Sequence, residues 1–560
     1  TIGDWSSDVC SSDLRTMKKL WAILLVVAML LTSAAAVAEE VDLTPYYFTY
    51  EDFPIYTETE TISLMGIKHP IHGDWDKLMF FQLMEQATGV HFDINTINLD
   101  GYQEAFNLAV NTESYAEVML GCMLTNKQLV ELGSQGILIP LEDYITEELT
   151  PNLYAFLEEY PLVRGAITAP DGHIYALPQL NAAPIAYTGS IWVNNDWLEA
   201  LGLTDADLPT DVEGLYDLLV RFRDEDPNGN GEADEIAWGL TDGFDHLKGS
   251  IIGAFGLPSN EVYADDDGKM QYGMMQEEQM VNFLTYVKKL YDENLIPKDF
   301  LTYTQTDEAA LGAENRAGMG YGAIPTNIWP FEGANADEVN EKASKYPMLP
   351  ALKSEYTEEP MWPHTGTGIQ TGTFALTDLC ESNGHVEAMM RWVDYLYSEA
   401  GSLLIHYGPE GYAYEVTEDG LYRQIAPTDG RSYEERRGGS ITPDCGIAMP
   451  KYVRPTTEGN WTDVLQQRRN QQTDEKLVPY LKLTMPQLFF LEDENTEIAT
   501  LETDLDNFVK SVMAKFVTGE LDLANYHAEV VEPLQSNFKI DRLLELYQGA
   551  YDRYTAALAD

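Results

Sequence analysis

The chain has 560 residues, of which 92 are Asp or Glu and only 34 Lys or Arg, a formal net charge of −58. So acidic a surface repels phosphate backbones and anionic bilayers, which excludes nucleic-acid and lipid-surface roles. With 44% hydrophobic residues the chain can build real cores, and at this length two or more lobes are expected.

Residues 1–16 read as a non-native leader ahead of Met17. Met17-Lys18-Lys19 is a short basic start, 20–31 an almost unbroken apolar run, and Ala36-Val37-Ala38 a small-residue cleavage signal. Residues 17–38 are therefore expected to be a cleaved signal peptide, with the mature chain secreted and beginning near Glu39. No later segment reaches ~18 uninterrupted apolar residues, the length a membrane span needs. Past the leader only Cys122, Cys380 and Cys445 remain, an odd number at no metal-ligand spacing. Three buried thiols is the simpler expectation, with one disulfide left open.

Short apolar runs then alternate with amphipathic helices, the pattern of α/β layers. A helix is expected over 75–87, stopped by Gly89, and a strand at 90–95, where Val90, Phe92 and Ile94 alternate with polar residues. Val118-Met119-Leu120 is a short strand, and a helix starting at Gln128 closes at Gly133 and Gly136. Asp171-Gly172 turns the chain before Ile174. Thr210-x-x-Glu213 predicts a capping box that opens a helix whose buried face is Val212, Leu215, Leu219 and Phe222.

That helix runs into Asp226-Pro-Asn228-Gly-Asn230-Gly231-Glu232-Ala-Asp234-Glu235, which has the D-x-N-x-N-G opening of a calcium loop. A hard cation takes six to eight oxygens, so alternate side chains must point inward. Asp226, Asn228, Asn230 and Asp234 fall at positions 1, 3, 5 and 9, and Glu232 at position 7 offers its carbonyl. Gly231 stands where the loop turns sharply. Ala237 replaces the usual bidentate Glu at position 12, so Asp234 and Glu235 have to close the shell. A structural Ca2+ ion is the expectation. Ile236-Ala-Trp238-Gly239 is expected as a strand, which makes the loop a helix-to-strand joint.

Farther on, Met280, Phe283, Leu284, Val287 and Leu290 share a helical face. Leu505, Phe508, Val509, Val512 and Phe516 form another, ended by Gly519, and Ile540, Leu543, Leu544 and Tyr547 a third. These read as core faces. Gly and Pro punctuate 312–332 and 347–372, the expected boundary regions. No G-x-S-x-G elbow, H-E-x-x-H or Walker-type loop is present, and nothing marks a catalytic carboxylate pair. No catalytic residue is assigned.

Several segments, in order, carry a family resemblance: Gly136-x-Leu138-Ile-Pro140-Leu-Glu-Asp143, Asp171-Gly-His-Ile-Tyr175-Ala-Leu-Pro178, Asn195-Asp196-Trp197-Leu198, Leu290-Tyr291 with Leu295-Ile296, Tyr407-Gly408-Pro-Glu-Gly411, and Ala550-Tyr551-Asp-Arg553-Tyr554. Together they resemble the carbohydrate-type (family 1) extracellular solute-binding proteins, the capture subunits of bacterial ABC importers. Asn194 stands where that pattern has Arg, and the lipid-attachment cysteine of many members is missing.

The resemblance implies a two-lobed α/β fold with a hinge, like that of periplasmic binding proteins, each lobe a discontinuous α/β sandwich. It places an N-lobe at 41–180 and 346–435, and a C-lobe carrying the calcium loop at 181–345 and 436–560. It implies a monomer without enzymatic activity that captures an oligosaccharide in the interlobe cleft and delivers it to a permease. A calcium-dependent polysaccharide lyase or glycosidase, or a peptide binder of the same fold, are the alternatives. Sugars need aromatic plates and polar side chains on loops at strand ends. The candidates are Asp74, Trp75, Tyr187, Trp192, Asn327, Trp329, Trp362 and His364, while Trp197 and Trp392 lie in helical stripes and are expected in cores.

Overall fold

The computed structural model describes residues 41–560 except 185–188, 242, 365–366 and 559–560, so the leader and signal peptide expected at 1–38 lie outside the described residues. The chain divides into two compact units, 1–47 and 48–560. In the first, residues 41–47 hold the 3-10 turn Thr44–Tyr46. The second is a two-lobed α/β structure.

One lobe is built on a six-stranded mixed sheet, in the order 451–453, 177–181, 369–376, 118–120, 60–68, 90–98. Glu60–Lys68 pairs in parallel with Val90–Asn98 along its whole length and with Val118–Leu120 on the other side. An inner parallel strand is covered on both faces, so Ile62, Leu64, Met65 and Ile67 are all buried. The helix expected over 75–87 is broken: a 3-10 turn, Trp75–Lys77, precedes the helix Met79–Thr88, with Leu78 extended between them. Gly89 ends that helix with a left-handed φ of 74°, a conformation that costs glycine nothing.

The strand Lys451–Val453 pairs with Leu177–Asn181 at the edge of this sheet. The sequence places 436–560 in the other lobe; the strand 451–453 pairs here. Arg437 donates to the carbonyls of His406 and Asp444, and the His72 ring meets the Cys445 carbonyl at 2.7 Å. A three-residue strand must find a ladder partner, and sequence distance says nothing about which edge supplies it.

The other lobe gathers the remaining helical faces into one core. Leu215, Leu219 and Phe222 meet Phe283 and Val287, and Val512 and Phe516 close over them. Their helices are Val212–Asp224, Glu277–Asp292 and Glu492–Thr518, the last ended by Gly519. The cap of the first is Asp211 rather than Thr210. Its carboxylate accepts from the Gly214 N–H at 2.8 Å, while the Thr210 carbonyl is taken by the Lys353 N–H. The expected strand 236–239 is reduced to a bridge from Ile236 to Ala317. Its N–H groups go in turn to Arg316, Leu295 and Met319, so no regular ladder forms. Trp197 and Trp392 are fully buried, as expected.

Cys122, Cys380 and Cys445 are free and buried. Among the described residues no helix is long and apolar enough to cross a membrane.

Candidate functional site

The strands Ile191–Val193 and Met319–Tyr321 are antiparallel, so one begins and the other ends at the same edge of the second lobe. Gly189 lies against Tyr321 there. Its φ is 65°, and a Cβ would come within 2.4 Å of the Tyr321 hydroxyl. His246, on the helix Phe244–Ser250, stacks on Tyr321 with ring centroids 3.7 Å apart, and its Nδ1 lies 2.9 Å from the Thr241 hydroxyl. With Pro363, His364 and Thr484 these residues line a cavity of 290 Å³. Lys248 on its wall is held by Asp245 at 2.8 Å and Glu261 at 2.9 Å. Burial pulls the Lys248 pKa down, but the two carboxylates outweigh it and leave it raised.

A second cavity, of 220 Å³, opens at the other end of the same segment, at Ile324. Tyr407, Gln424, Glu458 and Trp461 line it together with Asn340, Asp463 and Gln466; the last two open the helix Val464–Lys476, which bonds into the second lobe through Gln472 and Met348. The Tyr407 and Trp461 rings are 4.5 Å apart, with Tyr422 packed behind Trp461. Glu458 accepts long hydrogen bonds from Asn181 at 3.4 Å, Tyr407 at 3.5 Å and Gln466 at 3.4 Å, and lies 3.7 Å from the His406 Nε2. Its carboxyl is nonetheless held below the usual range: burial pushes it up, and the neighbouring His406 overrides that. Acceptors so weakly satisfied keep capacity for a ligand's donors. Aromatic faces beside them can cover an apolar ring surface.

A larger cavity, of 730 Å³, shares Asp245, Lys248 and Glu261 with the first but takes all its lining from the second lobe. The two smaller cavities, where aromatic rings lie beside polar side chains, are the candidate site.

The structure moves most of the expected ligand residues elsewhere. Trp75, Trp192, Trp329 and Trp362 are buried at 3% exposure or less and fill the interior. Their indole groups are engaged inward: Trp192 donates to the Gly322 carbonyl, Trp329 to Ala317 and Trp75 to His72. A ring of that size stabilises a core more than an exposed loop, and residue type alone does not separate the two fates. Asp74 is exposed and paired with Lys77 and Lys68, which hold its carboxyl at about 2. Asn327 folds back to accept from the Ile324 N–H. His364 does line the first cavity. Tyr187 lies outside the described residues. His246, Tyr321, Tyr407 and Trp461 were not singled out by sequence as ligand residues. Tyr407 sits in one of the family-like segments, and Asn460 and Asp463 flank Trp461 with polar side chains, the signals available for them.

The loop 226–235 is closed by its own side chains. Asp226, at φ 48°, accepts from the Gly231 N–H through both oxygens, and Gly231 itself has φ 78°. Asn230 accepts from the Glu232 N–H at 2.7 Å, and Asn228 and Asn230 both donate to Asp234. Arg316 pairs with Asp234 at 3.0 Å. Glu235 is buried, and its Oε1 has no partner. Burial, then the charges of Asp234 and Asp226, push its carboxyl up. Among the described residues no three His, Cys, Asp or Glu side chains are grouped to hold a metal. The oxygen-rich donor set and the orphaned Glu235 carboxylate nonetheless fit a hard cation.

A model of the bacterial extracellular solute-binding proteins matches residues 70–402. The fructooligosaccharide ABC transporter substrate-binding protein FusA of Streptococcus pneumoniae is 24% identical, over 96% of this chain and 98% of that one. The polygalacturonan/rhamnogalacturonan-binding protein YtcQ of Bacillus subtilis is 24% identical over 60% of this chain and 63% of its own. Among solved structures, an EF-hand mutant of S. pneumoniae FusA in complex with fructo-nystose superposes with a TM-score of 0.69 at 22% identity, covering 89% of this chain and all of that one. An HMO-binding, ABC-transporter-associated solute-binding protein of Bifidobacterium longum infantis gives 0.71 at 18% identity, covering 89% and 99%. With the family model matching more than half of a two-lobed α/β chain, this protein belongs to the bacterial extracellular solute-binding proteins.

Proposed function

We propose that the protein captures an oligosaccharide outside the cell membrane, in the cleft between its lobes, and hands it intact to the permease of an ABC importer. The observation that carries this is the cavity at Ile324, where aromatic rings and polar side chains from segments distant in sequence, Asn340, Tyr407, Gln424 and 458–466, come together. A ligand touching both sides biases an open–closed hinge toward closure, because it gains contacts only when the lobes meet. The names of the relatives support the ligand class. Titration with a panel of oligosaccharides should reveal at least one that raises the melting temperature, shrinks the radius of gyration in solution scattering, and returns unshortened by mass spectrometry. Trp461→Ala should weaken that binding by about 1–3 kcal/mol through lost apolar contact and also lower the melting temperature, because the ring is buried against Tyr407 and Tyr422, whereas Trp192→Ala should act on stability alone. Recovery of cleaved or unsaturated sugar would refute the transport reading.

We further propose that the loop 226–235 holds a structural calcium ion. The side chains of Asp226, Asn228, Asn230, Asp234 and Glu235 and the Glu232 carbonyl would hold it; the ion would neutralise carboxylates that now crowd one another. With an extracellular-type affinity of about 10⁻⁴ M, millimolar calcium stabilises the native state by about 1–3 kcal/mol. A chelator should lower the melting temperature of the wild type and leave Asp226→Ala unmoved. An unchanged wild-type melting temperature would remove the ion from this loop.

A further inference from the structure

We propose that the ligand groove continues from the cavity at Tyr321 past Lys248 into the 730 Å³ cavity, which makes that larger space a second ligand site and gives the protein a preference for long oligosaccharide chains. The inference rests on the oligosaccharide reading above and goes past it, because that reading is indifferent to chain length.

Continuity is the first support. Asp245, Lys248 and Glu261 line both spaces. The Lys248 ammonium is tied to Asp245 at 2.8 Å and to Glu261 at 2.9 Å, so this ion-paired cluster stands where the two meet. Small-molecule sites run from about 300 to 1,000 Å³. At 290 Å³ the cavity at Tyr321 sits at the bottom of that range, and the larger one lies well inside it. A chain that fills the smaller space therefore has further residues to place, and the larger space adjoins it.

Unmet polarity is the second. Asn260 lines the larger cavity and is 2% exposed; its Oδ1 has no partner, and its amide nitrogen reaches only the Met513 sulfur at 3.7 Å. Tyr272 lines it too, 4% exposed, and its hydroxyl bonds to no described residue. Buried polar groups are as a rule hydrogen-bonded, so two orphans on one cavity wall draw their partners from outside the chain. Hydroxyls suit both: one donates to the Asn260 Oδ1, and another donates to or accepts from the Tyr272 oxygen. Asp506, Lys510 and Ser511, on the helix Glu492–Thr518, add charges of both signs and a hydroxyl, a lining that favours a neutral polar chain over an ion. Leu301, Val509 and Met513 supply apolar surface for the C–H faces of sugar rings.

Calorimetry with fructo-, gluco-, galacto- and manno-oligosaccharides, each taken from disaccharide to hexasaccharide, tests this. Within a series that binds, affinity should rise at least about ten-fold from the shortest chain to the longest. Tyr272→Phe, which removes only the orphan hydroxyl, and Ser511→Trp, which sets a bulky ring at an exposed position of the lining, should each shrink that ratio, with the fold of both checked by melting. An affinity that does not grow with length, or a length ratio that survives both variants, overturns the inference and leaves oligosaccharide capture standing. No binding at any length overturns both.

Discussion

Asp444→Ala is expected to destabilise the six-stranded lobe by about 3–5 kcal/mol. Asp444 is buried and meets Lys451 at 2.6 Å and His406 at 2.5 Å. Lys451 is 1% exposed, so the variant would strand an ammonium in the interior of the lobe. Burial alone would raise the Asp444 carboxyl; Lys451, His406 and Arg437 override it and hold it far below the usual carboxylate range. A depressed carboxyl stabilises the fold above its unfolded value of about 4 and loses that contribution as pH falls below it. The same segment carries the edge strand Lys451–Val453, so the charge pair ties a late part of the chain to an early sheet. Replacing both partners, Asp444→Leu with Lys451→Met, should cost much less than the single change, because no lone charge remains. Urea unfolding of the three proteins checks this. A single-variant cost below about 1 kcal/mol would mean that the pair is hydrated rather than buried.

His72 should make the protein lose stability between pH 6.5 and pH 4. Its ring is buried, and burial is the largest cause of a pKa lowered to about 4. The local bonding agrees. Nδ1 accepts from the Trp75 indole and from the His69 N–H, which leaves Nε2 to donate to the Cys445 carbonyl at 2.7 Å. A proton on Nδ1 would confront two donors. Because the folded value lies below the unfolded one of about 6.5, the unfolded chain takes up the proton first. The contribution is therefore complete above pH 6.5 and is lost on the way down to pH 4, on the order of 2–3 kcal/mol in all. The half-buried His173 is shifted the other way by Glu142, so histidines here do not act in concert. Unfolding free energies measured across this range should slope steeply in the wild type and less in His72→Gln. Equal slopes would place the titration elsewhere.

Much of this protein is legible from local patterns. The apolar stripes at 212–222, 280–290 and 505–516 appear as helices with those faces buried, because a helix fixes which residues share a side whatever it packs against. Gly89 and Gly519 end helices for the same local reason, a left-handed φ. The loop 226–235 likewise announces itself by its spacing. The ligand cleft is different. Trp75, Trp192, Trp329 and Trp362 satisfy every local criterion for a sugar platform and are buried, while Tyr407 and Trp461, also buried, border a cavity that Ile324 and Asn340 line from distant parts of the chain. Whether a ring meets solvent or core is set by what the rest of the chain lays over it.

The sequence by itself determined the layered α/β class, the helical faces, the loop with its oxygen donors and the net acidity. Each of these depends on residues close together in the chain or on a sum over all of them. The tertiary structure alone decided that residues 451–453 join the first sheet, that Asp444 neutralises Lys451 beside it, and which aromatics border a cavity. Those outcomes rest on long-range pairing and burial, where the desolvation of a charge or a ring depends on neighbours that no local pattern encodes.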